Sequence, residues 1–163
     1  SLGYVGDVVK INPSIVECLM EENLIPVIST IGTDSNGQAY NINSDTVAAA
    51  LAGSLKAERL LYLTDIEGLL EDVSDPASKI SKIGISSLND LIDKGTIKSG
   101  MIPKAQACID AIKEGVASAH MVDGRIPHVL LLELFTDAGI GTMVLPEDML
   151  ESFESETHEQ GQS

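Results

Sequence analysis

Short continuous apolar segments alternate along this chain with segments in which apolar residues recur every three or four positions. The continuous runs predict buried strands at residues 4–11, 25–29, 59–64, 118–122 and 141–145. The helical spacing predicts helices at residues 14–22, 44–55, 86–94, 101–114 and 129–135. Strands that alternate with helices predict an α/β fold, a three-layer sandwich with helices on both faces of a mainly parallel central sheet.

Polar segments divide these elements and mark the end of the folded part. Residues 32–38 have the composition of a hairpin turn, and residues 71–84 that of an irregular loop. Residues 146–163 carry six acidic side chains and no Lys or Arg. The pattern therefore predicts a single folded lobe over residues 1–145 and an acidic, flexible tail over residues 146–163.

The charge of the chain narrows its partners and its location. The net charge is −15, which disfavours nucleic acid and anionic membranes, because both are negatively charged. No apolar run approaches the ~18 residues of a membrane span, and the first residues show no signal-peptide pattern. We expect a location in the cytoplasm or in the interior of an organelle such as a plastid. The cysteines and histidines show no metal-ligand spacing, so no protein-held metal site is predicted.

A segment with two amides and a carboxylate, Tyr-Asn-Ile-Asn-Ser-Asp at residues 40–45, joins a predicted strand to a helix. Asn43 or Ser44 can cap that helix, and Asp45 falls in its first turn, where a carboxylate is favoured. The same side chains lie at the carboxyl end of a strand, where open α/β sheets bind ligands. The residues alone leave both the capping role and a substrate-binding role open.

A second segment, Ser-Gly-Met-Ile-Pro-Lys at residues 99–104, begins another predicted helix. The free N–H groups of a helix N-terminus bind anions, and Gly100 allows close approach of a ligand. Lys104 lies in the first turn, where the helix dipole disfavours a cation, so a ligand phosphate is one explanation for its placement. A solvated surface lysine is the other.

Two further segments carry weaker signals. Residues 63–68, Leu-Thr-Asp-Ile-Glu-Gly, follow a buried strand, where either an ordinary polar turn or a bound nucleotide would lie. His128 and Glu133 flank an apolar helix, which is compatible with a capped helix bearing a solvated glutamate. The chain has neither a P-loop nor a G-x-G-x-x-G motif, which disfavours those nucleotide-binding folds.

Taken together, these segments resemble the N-acetylglutamate kinases of the amino-acid-kinase family, whose fold is of the carbamate-kinase type. The matching segments, in order, are residues 3–8, 25–28, 40–45, 63–68, 100–104, 123–125 and 132–136. The resemblance implies phosphoryl transfer from ATP, with Mg²⁺, to the γ-carboxylate of N-acetyl-L-glutamate in arginine biosynthesis. It also implies an arginine effector in some members of the family.

The resemblance implies a role for particular residues. Lys104 would bind the transferred phosphoryl group, Asp45 would orient the catalytic lysines, and Asn41 and Asn43 would bind acetylglutamate. The residues that would hold ATP, besides Lys104, are Thr64, Asp65, Gly68, Gly100, Met101 and Ile102. The effector would be bound near His128, Glu133 and Gly139.

The matching segments begin after the family's glycine-rich phosphate loop, its first lysine and its substrate-gripping arginine. The resemblance therefore implies the C-terminal, ATP-binding lobe alone, which would need an N-terminal half, and which can also form a homo-oligomer. We expect the isolated chain to lack kinase activity. The alternative is a non-catalytic nucleotide- or effector-binding module of the same fold.

Overall fold

The computed structural model describes residues 5–72, 74–97, 99–136, 139–150 and 152, and these residues form an α/β fold. The strands are β1 (Val5–Gly6), β2 (Ile31–Thr33), β3 (Ala39–Ile42), β4 (Arg59–Thr64), β5 (Lys82–Gly84), β6 (Ser118–Asp123) and β7 (Thr142–Leu145). The α-helices are α1 (Ser14–Glu21), α2 (Ser44–Ser54), α3 (Ile85–Asp93), α4 (Ile102–Lys113) and α5 (Val129–Phe135). Each of the five predicted helices is therefore present, within one or two residues of its predicted bounds.

The strands form two mixed sheets rather than one. The first has the order β1-β3-β2 and the second the order β4-β6-β7-β5. Three of the five strand pairings are parallel, whereas β2 with β3 and β6 with β7 are antiparallel. The α/β class is confirmed, and the strand pairings are mainly parallel. The division into two sheets is a feature that the sequence pattern did not predict.

The hydrophobic core lies around the second sheet. Helix α2 packs against α4 and β4, and α4 packs against β4, β6 and β7. Ala105, Cys108 and Ile109 on one face of α4 are fully buried, as the helical spacing of the sequence requires. Small residues such as Ala49 and Ala52 on α2 are buried as well, which allows the helices to approach closely.

The N-terminal part of the chain contributes little to this core. No described residue before Ala49 is buried. Large apolar side chains in this part are instead exposed, with Val9 98%, Val27 96% and Ile25 91% accessible. An apolar surface of this extent is typical of a segment that packs against further protein.

Two predicted strands in this part are corrected by the structure. Residues 25–29 form no strand, since Pro26 has no N–H to donate and no described strand lies beside the segment. The strand predicted at residues 4–11 is limited to Val5–Gly6 within the described residues, because its partner β3 ends at Ile42, opposite Gly6. A strand persists only where a neighbour supplies its hydrogen bonds.

The remaining differences concern the polar segments. The loop at residues 71–84 contains a short 3₁₀ helix at Pro76–Ser78 and the strand β5, which pairs in parallel with β7. Three-residue strands carry too little pattern to be found from sequence. Most of the predicted tail lies outside the described residues, although residues 147–150 are helical.

Candidate functional site

Lys104 and Asp45 form an ion pair between two helix starts. The Lys104 Nζ lies 2.8 Å from Asp45 Oδ1 and 2.9 Å from Oδ2. The two side chains keep 26% and 14% of their accessible surface, respectively. Lys104 lies in the first turn of α4 and Asp45 in the first turn of α2, and the packing of α2 against α4 brings them together. The structure thus unites the two residues predicted to be catalytic.

Asn43 holds the start of α2. Its Oδ1 accepts hydrogen bonds from the backbone N–H of Asp45 at 2.9 Å and of Thr46 at 3.2 Å. This is the capping role that the sequence left open, and such a cap stabilises a helix by about 1 kcal/mol. Asn41, by contrast, is exposed on β3, opposite Val5 and Ile31. The substrate role predicted for both amides stays a prediction.

The turn after β4 is held by its own hydrogen bonds. The Thr64 hydroxyl donates to the carbonyl of Ile66 at 2.9 Å and accepts from the N–H of Ile66 at 3.1 Å. Gly68 has φ +143, and a Cβ at this position would lie 2.8 Å from Thr142 Oγ1. Only glycine fits that conformation and that space. Asp65 is exposed, so of these three predicted ATP-binding residues it alone presents its side chain to solvent.

A 3₁₀ turn at Ser99–Met101 leads directly into α4, and among the described residues no side chain caps the helix. Within the described part of the chain, no atom outside the neighbouring residues lies within 4 Å of the position that a Cβ on Gly100 would occupy. The Met101 side chain is buried in the core and Ile102 is half-buried. Neither side chain is therefore fully accessible at the start of the helix, where Pro103 has no N–H to donate.

A small cavity of about 40 Å³ lies between the turn after β4 and the start of α4. Gly68 and Met101 both line it, together with Ile66, Leu69, Leu70, Thr96 and Ile97. Two of the predicted ATP-binding residues thus share one apolar depression. A larger open cleft of about 700 Å³ runs beside α2 and α4, and Asn43 and Pro103 are among its lining residues.

The carboxyl end of β6 adjoins the same turn. The N–H of Gly124 donates to the carbonyl of Thr64 at 2.9 Å. Asp123 forms two side-chain hydrogen bonds with Arg125, Nε to Oδ1 at 2.8 Å and Nη2 to Oδ2 at 2.7 Å. These bonds, together with the backbone N–H of Arg125, lower the pKa of Asp123 to about 2. The pair fixes the geometry of the turn that follows β6.

Glu133 is buried, contrary to the solvated glutamate that the sequence allowed. Its Oε1 accepts a hydrogen bond from His120 Nδ1 at 2.8 Å, and its Oε2 accepts from the backbone N–H of Ile140 at 2.7 Å and of Gly141 at 3.1 Å. His120 Nε2 in turn lies 2.9 Å from Ser118 Oγ. Burial alone raises the pKa of Glu133, but these hydrogen bonds outweigh it and hold the pKa below its usual value.

The other two predicted effector residues differ in their surroundings. Gly139 has φ +54, and a Cβ there would lie 3.3 Å from Glu133 Oε2, so it belongs to the Glu133 cluster. His128 precedes α5 in the left-handed conformation, φ 60, and makes no side-chain capping bond. The histidine that contacts Glu133 is His120, thirteen residues before it. The contact between His120 and Glu133 was not predicted, because His120 lies within an apolar strand and nothing in the sequence pattern pairs it with Glu133.

Within the described residues, no group of three His, Cys, Asp or Glu side chains is arranged to hold a metal ion. The described helices include none that is long and apolar enough to cross a membrane.

The chain matches the amino acid kinase family over residues 2–123. The chain belongs to the amino acid kinase family. Among curated relatives, it is 53% identical to the acetylglutamate kinase of Heliobacterium modesticaldum over 88% of this chain and 49% of that protein. It is 49% identical to the acetylglutamate kinase of Desulforamulus reducens over 90% of this chain and 51% of that protein. This chain thus spans about half the length of the curated relatives that it matches.

Solved structures support the same assignment of fold. N-acetylglutamate synthase from Neisseria gonorrhoeae, complexed with coenzyme A and N-acetyl-glutamate, superposes with a TM-score of 0.79 at 26% identity. That match covers 88% of this chain and 33% of the synthase. Carbamate kinase from Giardia lamblia superposes with a TM-score of 0.69 at 20% identity over 88% of this chain and 47% of that chain. The predicted amino-acid-kinase fold of carbamate-kinase type is therefore confirmed.

Proposed function

We propose that this chain is the ATP-binding half of an acetylglutamate kinase, which transfers a phosphoryl group from ATP to the γ-carboxylate of N-acetyl-L-glutamate. The observation that carries the proposal is the Lys104–Asp45 pair, with Nζ 2.8 Å from Oδ1 at the first turns of α4 and α2. Identity near 50% with acetylglutamate kinases supports the choice of substrate.

The pair suits phosphoryl transfer, which depends on positioning and on neutralising the charge of the transferred group. Asp45 fixes the Lys104 ammonium through both carboxylate oxygens. Lys104 keeps 26% of its side-chain surface accessible, so the ammonium is held in place and still open to a ligand. The positive end of the α4 dipole lies at the same end of the helix and adds to the positive potential there.

The other residues predicted to bind ATP support a nucleotide site in this half of the kinase. Among the described residues, no atom beyond its neighbours comes within 4 Å of the Gly100 Cβ position, and Gly68 and Met101 line the small cavity. Asp65 presents an exposed carboxylate near the end of β4. We propose that Thr64, Asp65 and Gly68 form the turn beside the nucleotide, whose Mg²⁺ would neutralise phosphate charge and be held mainly by phosphate oxygens and water, as is usual for this ion.

We further propose that residues 5–42 pack against an N-terminal half that completes the kinase. The chain spans about half of its curated relatives, and the exposed apolar residues of this segment include Val9, Ile25 and Val27. Burial of such side chains in a larger protein is favourable at roughly 25 cal/mol per Å². The complete kinase, this chain together with that half, is the form in which activity is expected.

A coupled assay for ADP tests this proposal on the complete kinase and on the 163-residue chain alone. We expect acetylglutamate-dependent ADP release from the complete kinase and none from the chain, because positioning groups lost together can cost ~7–11 kcal/mol of transition-state stabilisation. Calorimetric titration of the chain with Mg-ATP should show weak binding. No acetylglutamate-dependent turnover by the complete kinase would reject the function. If the complete protein also binds ATP without turnover, the alternative, a non-catalytic nucleotide-binding module, is favoured.

Asp45→Asn provides a test of orientation, because it keeps the shape of the side chain and removes its charge. We expect kcat of the complete kinase to fall about 10- to 100-fold, as misplacement of a reacting group by about 1 Å does. The matched control is Asp90→Asn on α3, where the carboxylate pairs with Lys94 at the surface and both side chains are 69% exposed. Equal kcat values for Asp45→Asn and the control would contradict the orienting role.

The Glu133 cluster is proposed as an effector region. N-acetylglutamate synthase from Neisseria gonorrhoeae, at 26% identity and a TM-score of 0.78, was solved with L-arginine bound. In this chain Glu133 fixes the backbone of Ile140 and Gly141, next to Gly139. We propose that arginine acts through this region and that His128 lies at its border.

A further inference from the structure

Tyr62 lies next to the Lys104–Asp45 pair. It is on β4, is 5% exposed, and is the register partner of Met121 on β6. Its hydroxyl donates a hydrogen bond to the backbone carbonyl of Asp45 at 2.7 Å. The centroid of its ring lies 5.8 Å from the Lys104 Nζ. One side chain therefore contacts both members of the pair.

The ring and the carboxylate together hold the Lys104 ammonium. A distance of 5.8 Å from Nζ to the centroid is within the ~6 Å range of a cation–π contact. The two oxygens of Asp45 bind the same ammonium at 2.8 and 2.9 Å. The part of the ammonium that faces neither group is left for a ligand, consistent with the 26% of the Lys104 side chain that stays accessible.

The hydroxyl acts as a permanent donor. Burial raises the pKa of Tyr62 far above its usual value, and the neighbouring acidic groups of Cys108, Asp45 and Asp110 raise it further. The hydroxyl therefore keeps its proton at any pH at which an enzyme works, and it donates to the Asp45 carbonyl. That bond ties the first turn of α2, already capped by Asn43, to strand β4.

We propose that Tyr62 is a positioning residue of the phosphoryl-transfer site, which fixes Asp45 through its hydroxyl and Lys104 through its ring. This inference rests on the proposed kinase function. Tyr62 acts through the other two residues and does not itself touch the transferred group. Loss of the ring should therefore lower kcat more than it raises KM for ATP, because a misplaced ammonium weakens the transition state more than the ground state.

Two substitutions separate the ring from the hydroxyl. Tyr62→Phe keeps the ring and should lower kcat of the complete kinase about 3- to 10-fold, the effect of one lost hydrogen bond. Tyr62→Leu removes both contacts and should lower kcat about 10- to 30-fold. In both variants KM for ATP should change little. A kcat of Tyr62→Leu equal to that of the wild type would overturn the proposal.

A double-substitution cycle distinguishes positioning from general destabilisation. If Tyr62 acts through Lys104, Tyr62→Leu should cause no further loss of kcat in a Lys104→Ala background. Met121→Leu is the matched control. Met121 is fully buried and lies opposite Tyr62 on β6, and leucine has a volume similar to that of methionine. This substitution should alter the melting temperature without altering kcat. Additive effects of Tyr62→Leu and Lys104→Ala, or a loss of kcat in Met121→Leu equal to that in Tyr62→Leu, would contradict the positioning role.

A chemical measurement tests the contact without relying on activity. Acetylation of Lys104 by acetic anhydride, followed by mass spectrometry, should be about threefold faster in Tyr62→Leu than in the wild type, because one cation–π contact at the low end of its strength is lost. Lys113, exposed at the other end of α4, is the internal standard and should react at the same rate in both. Equal Lys104 rates would overturn the ring contact. If the wild-type kinase is inactive on acetylglutamate but the Lys104 acetylation rates differ as expected, the proposed function is rejected and the contact between Tyr62 and Lys104 is supported.

Discussion

Lys104→Ala should lower kcat of the complete kinase about 10²- to 10³-fold, the scale of a lost charge-stabilising group in an active site. The ammonium is the cation that the structure holds at the start of α4, 2.8 Å from Asp45 Oδ1 and accessible over 26% of the side chain. Its removal leaves the developing negative charge of the transferred phosphoryl group without this partner. The effect is measured by steady-state ADP release at saturating acetylglutamate and ATP.

Lys113→Ala is the matched control for that experiment. Lys113 lies on the same helix, in its last turn, and is exposed. It carries the same charge as Lys104 but lies at the opposite end of α4, so its removal should leave kcat near the wild-type value. Near-wild-type turnover of Lys104→Ala would contradict the proposed role of Lys104. A loss of kcat in Lys113→Ala as large as that in Lys104→Ala would show that the effect does not depend on where the lysine lies on α4.

Glu133→Ala should lower the free energy of unfolding by about 3–5 kcal/mol, the usual effect of removing one partner from a buried ionic hydrogen-bonded cluster. The side chains of His120 and Glu133 are 1% and 2% exposed. The substitution leaves His120 Nδ1 and the N–H groups of Ile140 and Gly141 without their acceptor. Urea unfolding, followed by circular dichroism, measures the difference.

Glu133→Gln is the control that keeps the shape and removes the charge. Its amide oxygen can still accept from the two backbone N–H groups, so we expect a smaller loss than for alanine. An equal loss in the two variants would assign the effect to charge rather than to the unpaired groups. A change below 1 kcal/mol in Glu133→Ala would contradict the role of the cluster in stability.

The same residue predicts a pH dependence. The folded-state pKa of Glu133 is lowered from the ordinary value of 4.5, so the carboxylate adds to stability above pH 4.5. That contribution is lost as the pH falls below 4.5 through the folded-state pKa, because the unfolded state then binds the proton more readily. The difference in unfolding free energy between wild type and Glu133→Gln should therefore shrink with acidification across this range.

Local hydrogen bonding was predictable from the sequence. Helices α2, α4 and α5 follow from the three-to-four-residue apolar spacing, because a helix satisfies its backbone within its own segment. Asn43, one of the two candidate caps in the sequence, caps α2, and Lys104 falls in the first turn of α4 as predicted. The strands β4, β6 and β7 followed from continuous apolar runs.

Strand formation in the N-terminal part was not predictable from the same signals. Residues 25–29 have the apolar composition of a buried strand, and residues 4–11 have a strand composition, yet neither range is a strand throughout. A strand requires a neighbour for its backbone groups, and which neighbour is present depends on the rest of the protein. The composition of a segment indicates its preference for strand structure, but it does not show whether a neighbouring strand is present to pair with it.

The sequence by itself determined the helices, the main strands of the core and, through its resemblance, the family, and it limited the cap of α2 to Asn43 or Ser44. Only the tertiary structure decided that Lys104 meets Asp45 across 59 positions, that Tyr62 contacts both, and that Glu133 is buried against His120. The physical reason is distance along the chain. Helix spacing and capping act over a few residues, whereas these contacts depend on how α2, α4, α5 and the second sheet pack against one another.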